Sequence, residues 1–103
     1  MMATKTIMLV CSAGMSTSLL VSKMQKAAAA AGQDFNIFAT AAADADNKIA
    51  SEHPDILMLG PQVRFMLDDF KKRVDVPVEV INMQDYGMMR GEKVFQHALA
   101  VIG

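Results

Sequence analysis

Cys11 is the only cysteine in the 103-residue chain, and it heads a run of small and hydroxyl-bearing residues: Ser12, Ala13, Gly14, Met15, Ser16, Thr17 and Ser18. An apolar run ends just before it at Val10, and a segment of helical periodicity starts at Thr17. Strand, small-residue loop and helix start, in that order, make an anion nest. Small side chains let backbone N–H groups converge on one point. Gly14 allows dihedrals that other residues resist. The first turn of the helix adds partial positive charge and unpaired N–H donors. The hydroxyls of Ser16, Thr17 and Ser18 can cap the helix or donate to a phosphate. A thiolate at the mouth of the loop is itself an anion and sits well in that field. Nucleophile and phosphate cradle then coincide, which is the chemistry of a covalent phosphocysteine. Each feature also has a plainer use. A lone Cys after a buried strand serves as a small core hydrophobe, and a Ser-Thr-Ser run serves as a helix cap. Their coincidence at one strand end is what points to function.

The elements that must position this loop can be read from hydrophobic period. Short apolar runs at 6–10, 35–39, 56–59 and 78–81 have the length and flanks of strands, and the first and third are apolar nearly throughout, as strands covered on both faces are. Between them lie helical segments. Residues 17–31 place Leu20, Met24, Ala27, Ala28 and Ala31 on one face, with Gly32 as a C-terminal stop. Val63, Met66, Leu67, Phe70 and Val74 follow the spacing of an amphipathic helix. Val94, Phe95, Ala98, Leu99 and Ile102 predict a final helix, and the polar stretch 44–52 a short one. The order βαβαβαβα predicts a single-domain α/β fold over 1–103: a doubly wound, four-stranded parallel sheet with helices on both faces and right-handed crossovers. Pro54, Pro61 and Pro77 all fall at element edges. In such a sheet, ligands bind at the carboxyl ends of the strands, where strand order reverses.

Composition bounds the function. A chain of 103 residues suits one domain, and 52% hydrophobic residues allow a core. A net charge of -1 speaks against a nucleic-acid binder, which needs a basic face, and against an electrostatic membrane binder. One cysteine permits no intramolecular disulfide and no cysteine zinc site, so a reducing cytoplasm is the expected compartment. No run reads as a signal peptide, and none approaches the roughly 20 apolar residues of a membrane span.

A phosphatase is the instructive competitor. Low-molecular-weight tyrosine phosphatases, whose architecture the expected sheet resembles, place a Cys at the end of the first strand, an Arg six residues later, and a Ser after it. Here those last two positions are Thr17 and Ser18. Without a guanidinium fork the loop lacks the clamp that stabilises three equatorial oxygens in phosphoryl transfer. Such a loop can hold a phosphoryl group and hydrolyse it poorly, as a relay should.

The run from Val10 to Val21 closely resembles the active loop of the IIB components of the bacterial phosphoenolpyruvate-dependent sugar phosphotransferase system, lactose/cellobiose family. Two further stretches match that family: Leu59, Gly60, Pro61, Gln62, Val63 and Arg64 after the third strand, and residues 85–94 before the last helix. A free-standing domain of this size looks most like a cellobiose or diacetylchitobiose IIB protein. The resemblance implies a protein-phosphohistidine–sugar phosphotransferase. It would take a phosphoryl group from a phosphohistidine of the IIA protein onto Cys11, cradle it on the amides from Ser12 to Ser18, and pass it to a β-disaccharide bound in the membrane subunit IIC. It implies a cytoplasmic monomer that associates peripherally with IIC, without membrane insertion, nucleic acid, metal or organic cofactor. A lactose-specific IIB or a cysteine phosphatase-like hydrolase is the alternative.

The two other matched stretches would wall the site. Gly60, Pro61, Gln62 and Arg64 would form one wall; Asp85, Tyr86, Met88, Met89 and Arg90 another. Arg64 would steer the phosphoryl group or be a solvated helix charge. Asp85 compares with a phosphatase general acid, and its plainer role is a turn or cap carboxylate. Methionines left exposed make adaptable contacts with several partners, although most of the ten are expected in the core. His53, before Pro54, and His97, beside the apolar stripe of the last helix, lie at no strand carboxyl end and are assigned no part in phosphoryl transfer.

Overall fold

The computed structural model describes residues 5–12 and 17–102. Four parallel strands, β1 (Lys5–Cys11), β2 (Phe35–Ala41), β3 (Ile56–Leu59) and β4 (Val78–Val80), form one sheet in the order β2-β1-β3-β4. Both central strands are apolar on both faces because both faces are covered: β3 is buried throughout and β1 from Thr6 onward. Alternate residues then sort into two cores. Ile7, Leu9, Ile56 and Met58 face a layer built from α1 (Ser18–Ala30) and α5 (Gly91–Ile102). Met8, Val10, Leu57 and Leu59 face Ala45 of α2 (Ala45–Glu52) and Phe70 of α3 (Leu67–Arg73). The expected doubly wound sheet is therefore the one observed. The chain leaves β1 toward β2 on one side and returns as β3 on the other, so the reversal of strand order lies between the carboxyl ends of β1 and β3.

Local chemistry explains the helix ends. Gly32 at φ 69° follows the Ala31 cap. Its N–H bonds to the carbonyl of Ala29, and that of Gln33 to the carbonyl of Ala28. This is the paired closure that a glycine in the left-handed region allows. His53, also left-handed, ends α2 just before Pro54. Its ring is exposed, on the amino side of β3, and His97 pairs at 3.2 Å with Glu79.

Three local features differ from the periodic reading. The segment expected as one helix over 63–74 begins as a tight 3-10 stretch, Pro61–Met66, with Val63 outside helical dihedrals, before α3 takes over. Pro61 sits at its first position, and Val63 and Phe70 still point into the core. The helix over 44–52 is likewise preceded by a 3-10 turn, Ala42–Asp44. A short helix that periodicity does not announce, α4 (Met83–Gly87), follows β4. It is held by Asn82, whose Oδ1 accepts from the N–H groups of Gln84 and Asp85 at 2.9 and 3.1 Å, a side-chain cap at the helix start. No helix among the described residues is long and apolar enough to cross a membrane.

Candidate active site

Cys11 is the last residue of β1 rather than the first residue after it. Alternation puts its side chain on the α1 side of the sheet, in line with Ile7 and Leu9, and it is fully buried. Its sulfur lies 3.5 Å from the Oγ1 of Thr17, which is also fully buried. Thr17 occupies the cap position of α1, but its side chain does not cap the helix; the hydroxyl is turned to the sulfur instead. Ser12 and Ser18 flank this pair and are exposed. Ala13, Gly14, Met15 and Ser16 lie outside the described residues. The helix is continuous from Ser18, so its first turn begins one residue beyond the thiol's hydroxyl partner.

The second strand of the crevice closes on the same point. Gly60 follows β3, and its N–H donates to the carbonyl of Val10 at 2.8 Å. A Cβ built on Gly60 would lie 3.7 Å from the Cβ of Cys11, 3.4 Å from the carbonyl of Val10 and 3.2 Å from the Oε1 of Gln62. The β3 turn therefore runs against Cys11, where a methyl at position 60 would make ordinary contact with the cysteine and press only on the movable end of Gln62.

The two walls meet. Pro61, Gln62 and Arg64 face Tyr86 and Gly87 across an open groove of about 630 Å³. The lengths of chain that form them are far apart in sequence and adjacent because β3 and β4 are paired neighbours. Tyr86 is mostly buried and belongs to the core as well; Arg64 is exposed. The rest of the second wall diverges. Met88 is exposed, with its sulfur 3.1 Å from a guanidinium nitrogen of Arg90. Met89, at φ 54°, packs inward against the core under α1 and α5. Asp85 faces Asn82 and His97 rather than the groove, its carboxylate pairs with Arg90 at 3.6 Å, and its carbonyl accepts from the Arg90 N–H at 2.8 Å. Asp85 thus joins a structural turn.

Sequence reading passed over two groove residues. Phe65 is 79% exposed, and Met83 is more than half exposed. A signal existed for each. Phe65 falls between the stripe positions Val63, Met66 and Phe70, so the helix that buries those must show Phe65 to solvent. Met83 follows a residue, Asn82, that favours a helix cap. Leu19, in the first turn of α1, is a further large apolar side chain left exposed. Among the described residues no group of three His, Cys, Asp or Glu could hold a metal ion. The arrangement offers one buried thiol with a hydroxyl partner, at the reversal point of a parallel sheet, beside an open and partly apolar groove.

Comparison with known proteins identifies the family. Residues 6–97 match the family model described as PTS system, Lactose/Cellobiose specific IIB subunit. A galactose-specific EIIB component of Lactococcus lactis subsp. cremoris and a cellobiose-specific EIIB component of Lactococcus lactis subsp. lactis are each 59% identical, over 94% of this chain and 95% of theirs. An oligo-beta-mannoside-specific EIIB component of Bacillus subtilis is 39% identical over 95% of this chain and 96% of its own. Among solved structures, the cellobiose-specific phosphotransferase IIB component of Borrelia burgdorferi superposes with a TM-score of 0.79 at 38% identity, over 97% of this chain and 93% of that one. The lactose-specific IIB domain of Streptococcus pneumoniae reaches 0.81 at 17% identity, covering 98% and 100%, and shares the fold. The chain with Cys11 at its sheet reversal therefore belongs to the lactose/cellobiose-specific IIB subunits of the sugar phosphotransferase system, a family of phosphotransferases.

Proposed function

We propose that Cys11 is the phosphoryl carrier. Its sulfur attacks the phosphorus of a phosphohistidine on a IIA protein; the S–P bond forms as the N–P bond breaks, and the imidazole leaves as the base that takes up a proton. In the second step a hydroxyl of a β-linked disaccharide held by a membrane IIC subunit attacks the same phosphorus. The O–P bond forms, the S–P bond breaks, and the hydroxyl proton is released. The loop from Ser12 to Ser18 cradles the phosphoryl oxygens through its amides, and Thr17 is the hydroxyl partner of the sulfur. Chain 1–103 acts as one domain, as a monomer in the cytoplasm that meets IIC at the membrane surface.

The single observation behind this reading is the buried contact between Cys11 and Thr17. The residue beside the thiol, six positions on, is a neutral hydroxyl where a phosphatase would present an arginine. The site can bind the group without the cation that speeds its hydrolysis. The sugar is a cellobiose-type disaccharide. The equal identity to galactose- and cellobiose-specific relatives fits a carrier whose own residues do not select the sugar.

Intact-protein mass spectrometry tests the relay after incubation with phosphoenolpyruvate, the general phosphotransferase proteins and a cellobiose-type IIA protein. The expected result is a gain of one phosphoryl group. It should be absent in Cys11→Ser and discharged when IIC-bearing membranes and cellobiose are added. No gain with active partners would refute the reading, and discharge by galactose but not cellobiose would reassign the sugar.

A further inference from the structure

Cys11 is flanked in the sheet by small residues. Ala41 of β2 stands level with it on one side. On the other side the ladder pairs Val10 with Leu59, and the N–H of Gly60 donates to the carbonyl of Val10, so Gly60 is the residue that comes level with Cys11. Gly60 is still extended, with φ -63° and ψ 154°, and side chains alternate along extended backbone. Ile56 and Met58 turn to the α1 face, Leu57 and Leu59 to the other. A side chain at position 60 would therefore share the face of the cysteine. The point where its Cβ would stand is 3.7 Å from the Cβ of Cys11 and 3.2 Å from the Oε1 of Gln62. The carboxamide of Gln62 and the side chain of Cys11 thus border one lane on one face of the sheet. Gln62 reaches it because the 3-10 stretch that begins at Pro61 folds position 62 back over Gly60. Gln62 is exposed, and its side chain makes no hydrogen bond to any described residue.

We propose that Gln62 is a phosphoryl-binding residue: its Nε2 donates a hydrogen bond to an oxygen of the phosphoryl group carried on Cys11, an inference that rests on the relay reading of that cysteine. A phosphoryl group on the sulfur needs room beside the strand end and donors for three oxygens. The lane over Gly60 gives room next to Cys11, and Gln62 stands at its far side. Thr17 comes to the sulfur from α1, and Gln62 comes to the same face from the turn after β3, so the two neutral side chains approach from different elements. A carboxamide carries two N–H donors and one acceptor, exchanged by a half-turn about its last bond. The group that turns its oxygen to the lane can turn its nitrogen there when an anion arrives. Being exposed and unpartnered, Gln62 gives up only water to make the contact. A neutral donor also suits a relay, because it holds the oxygens without the cation that speeds hydrolysis.

The test uses the full chain, Gln62→Ala, Gln62→Glu, and Gln33→Ala as a control between α1 and β2, at the amino end of the strands. Each is mixed with phosphorylated cellobiose-type IIA protein, and mass spectrometry reads how the phosphoryl group is shared between the two proteins at equilibrium. Loss of a docking contact slows transfer in both directions and leaves that ratio alone. Loss of a contact with the phosphoryl group moves it. Gln62→Ala should shift the ratio about fivefold toward the donor, since water takes over part of the contact. Gln62→Glu keeps the shape and sets a negative charge against the phosphoryl oxygens, so it should shift the ratio at least as far. Gln33→Ala should not shift it. Circular dichroism confirms that the variants are folded. An unchanged ratio in both Gln62 variants would overturn the inference. So would a Glu variant that matches wild type while the Ala variant loses, the mark of a side chain that only fills space. Nitrogen-15 NMR reads the contact itself: the side-chain amide signal that is missing in Gln62→Ala should move in wild type when Cys11 is charged. If wild type takes up no phosphoryl group from active partners, the relay reading falls, and inorganic phosphate titrated into the labelled chain decides for Gln62. A saturating shift of that amide signal supports its contact with the anion, and no shift overturns it.

Discussion

The hydroxyl of Thr17 lies 3.5 Å from the sulfur of Cys11, with both side chains fully buried. A hydroxyl can donate to a thiolate and accept from a thiol, so the one contact serves the sulfur in either state. Thr17→Val keeps the shape and removes the hydroxyl. A hydrogen bond to a charged group contributes about 1.5 kcal/mol, so single-turnover acceptance of a phosphoryl group should slow about tenfold. Thr17→Ser should keep most of the rate. Quench-flow with mass detection reads both, and a Val variant as fast as wild type would remove Thr17 from the site.

Gly60 touches the site by having no side chain. Its φ of -63° is ordinary, so substitution there is a question of space alone. In Gly60→Ala the new methyl meets the movable end of Gln62 at 3.2 Å, and the fold should survive with Gln62 displaced. Gly60→Val adds two carbons that must go toward Cys11 or the Val10 carbonyl. Acceptance from the IIA protein should fall at least tenfold in the Val variant and by a few-fold at most in the Ala variant, a cost of about 1.4 kcal/mol against less than half of that. Equal loss in both would mean that Gln62, rather than the space over Cys11, is what matters.

Gly91 supports the site from further away. The Cβ of Gly91→Ala would meet backbone of α1 at 2.7 Å, and backbone cannot rotate aside. Overpacking of this kind costs about 2 kcal/mol, which in a chain of this size lowers Tm by about 10 °C. Thermal unfolding followed by circular dichroism checks it. An unchanged Tm would mean that α5 can ride outward without loss.

Much of this was legible before the structure. β1 and β3 announced themselves because a strand buried on both faces must be apolar on both. The α1 stripe did so because Leu20, Met24 and Ala28 recur at one helical period and Gly32 closes it. A thiol at the end of β1 with a hydroxyl six residues on was legible from residue type alone. What periodicity could not carry is contact between distant segments. Pro61 faces Tyr86 only because β4 pairs with β3, and nothing in either stretch states that pairing. A five-residue helix such as α4 is too short to show a period, so its sign was the cap at Asn82. Met88 and Met89 read alike as a pair of adjacent methionines. The left-handed turn at Met89 sends one out to solvent and the other into the core.

Phe65 gives the sharpest separation of stability from function. Its ring is 79% exposed and lines the groove with Arg64 and Met83, so the folded chain gains little from it. Phe65→Ser should change unfolding free energy by no more than about 0.5 kcal/mol, as surface substitutions do. A ring of this size buried on docking would contribute about 2 kcal/mol, so KM for the IIA protein should rise by a factor of about ten or more with kcat retained. The loss should persist at high salt, because apolar contact is not screened. If Phe65→Ser accepts from the donor like wild type and fails only in discharge to IIC-bearing membranes, the groove serves the acceptor, and the two partners meet this chain on different faces of one edge.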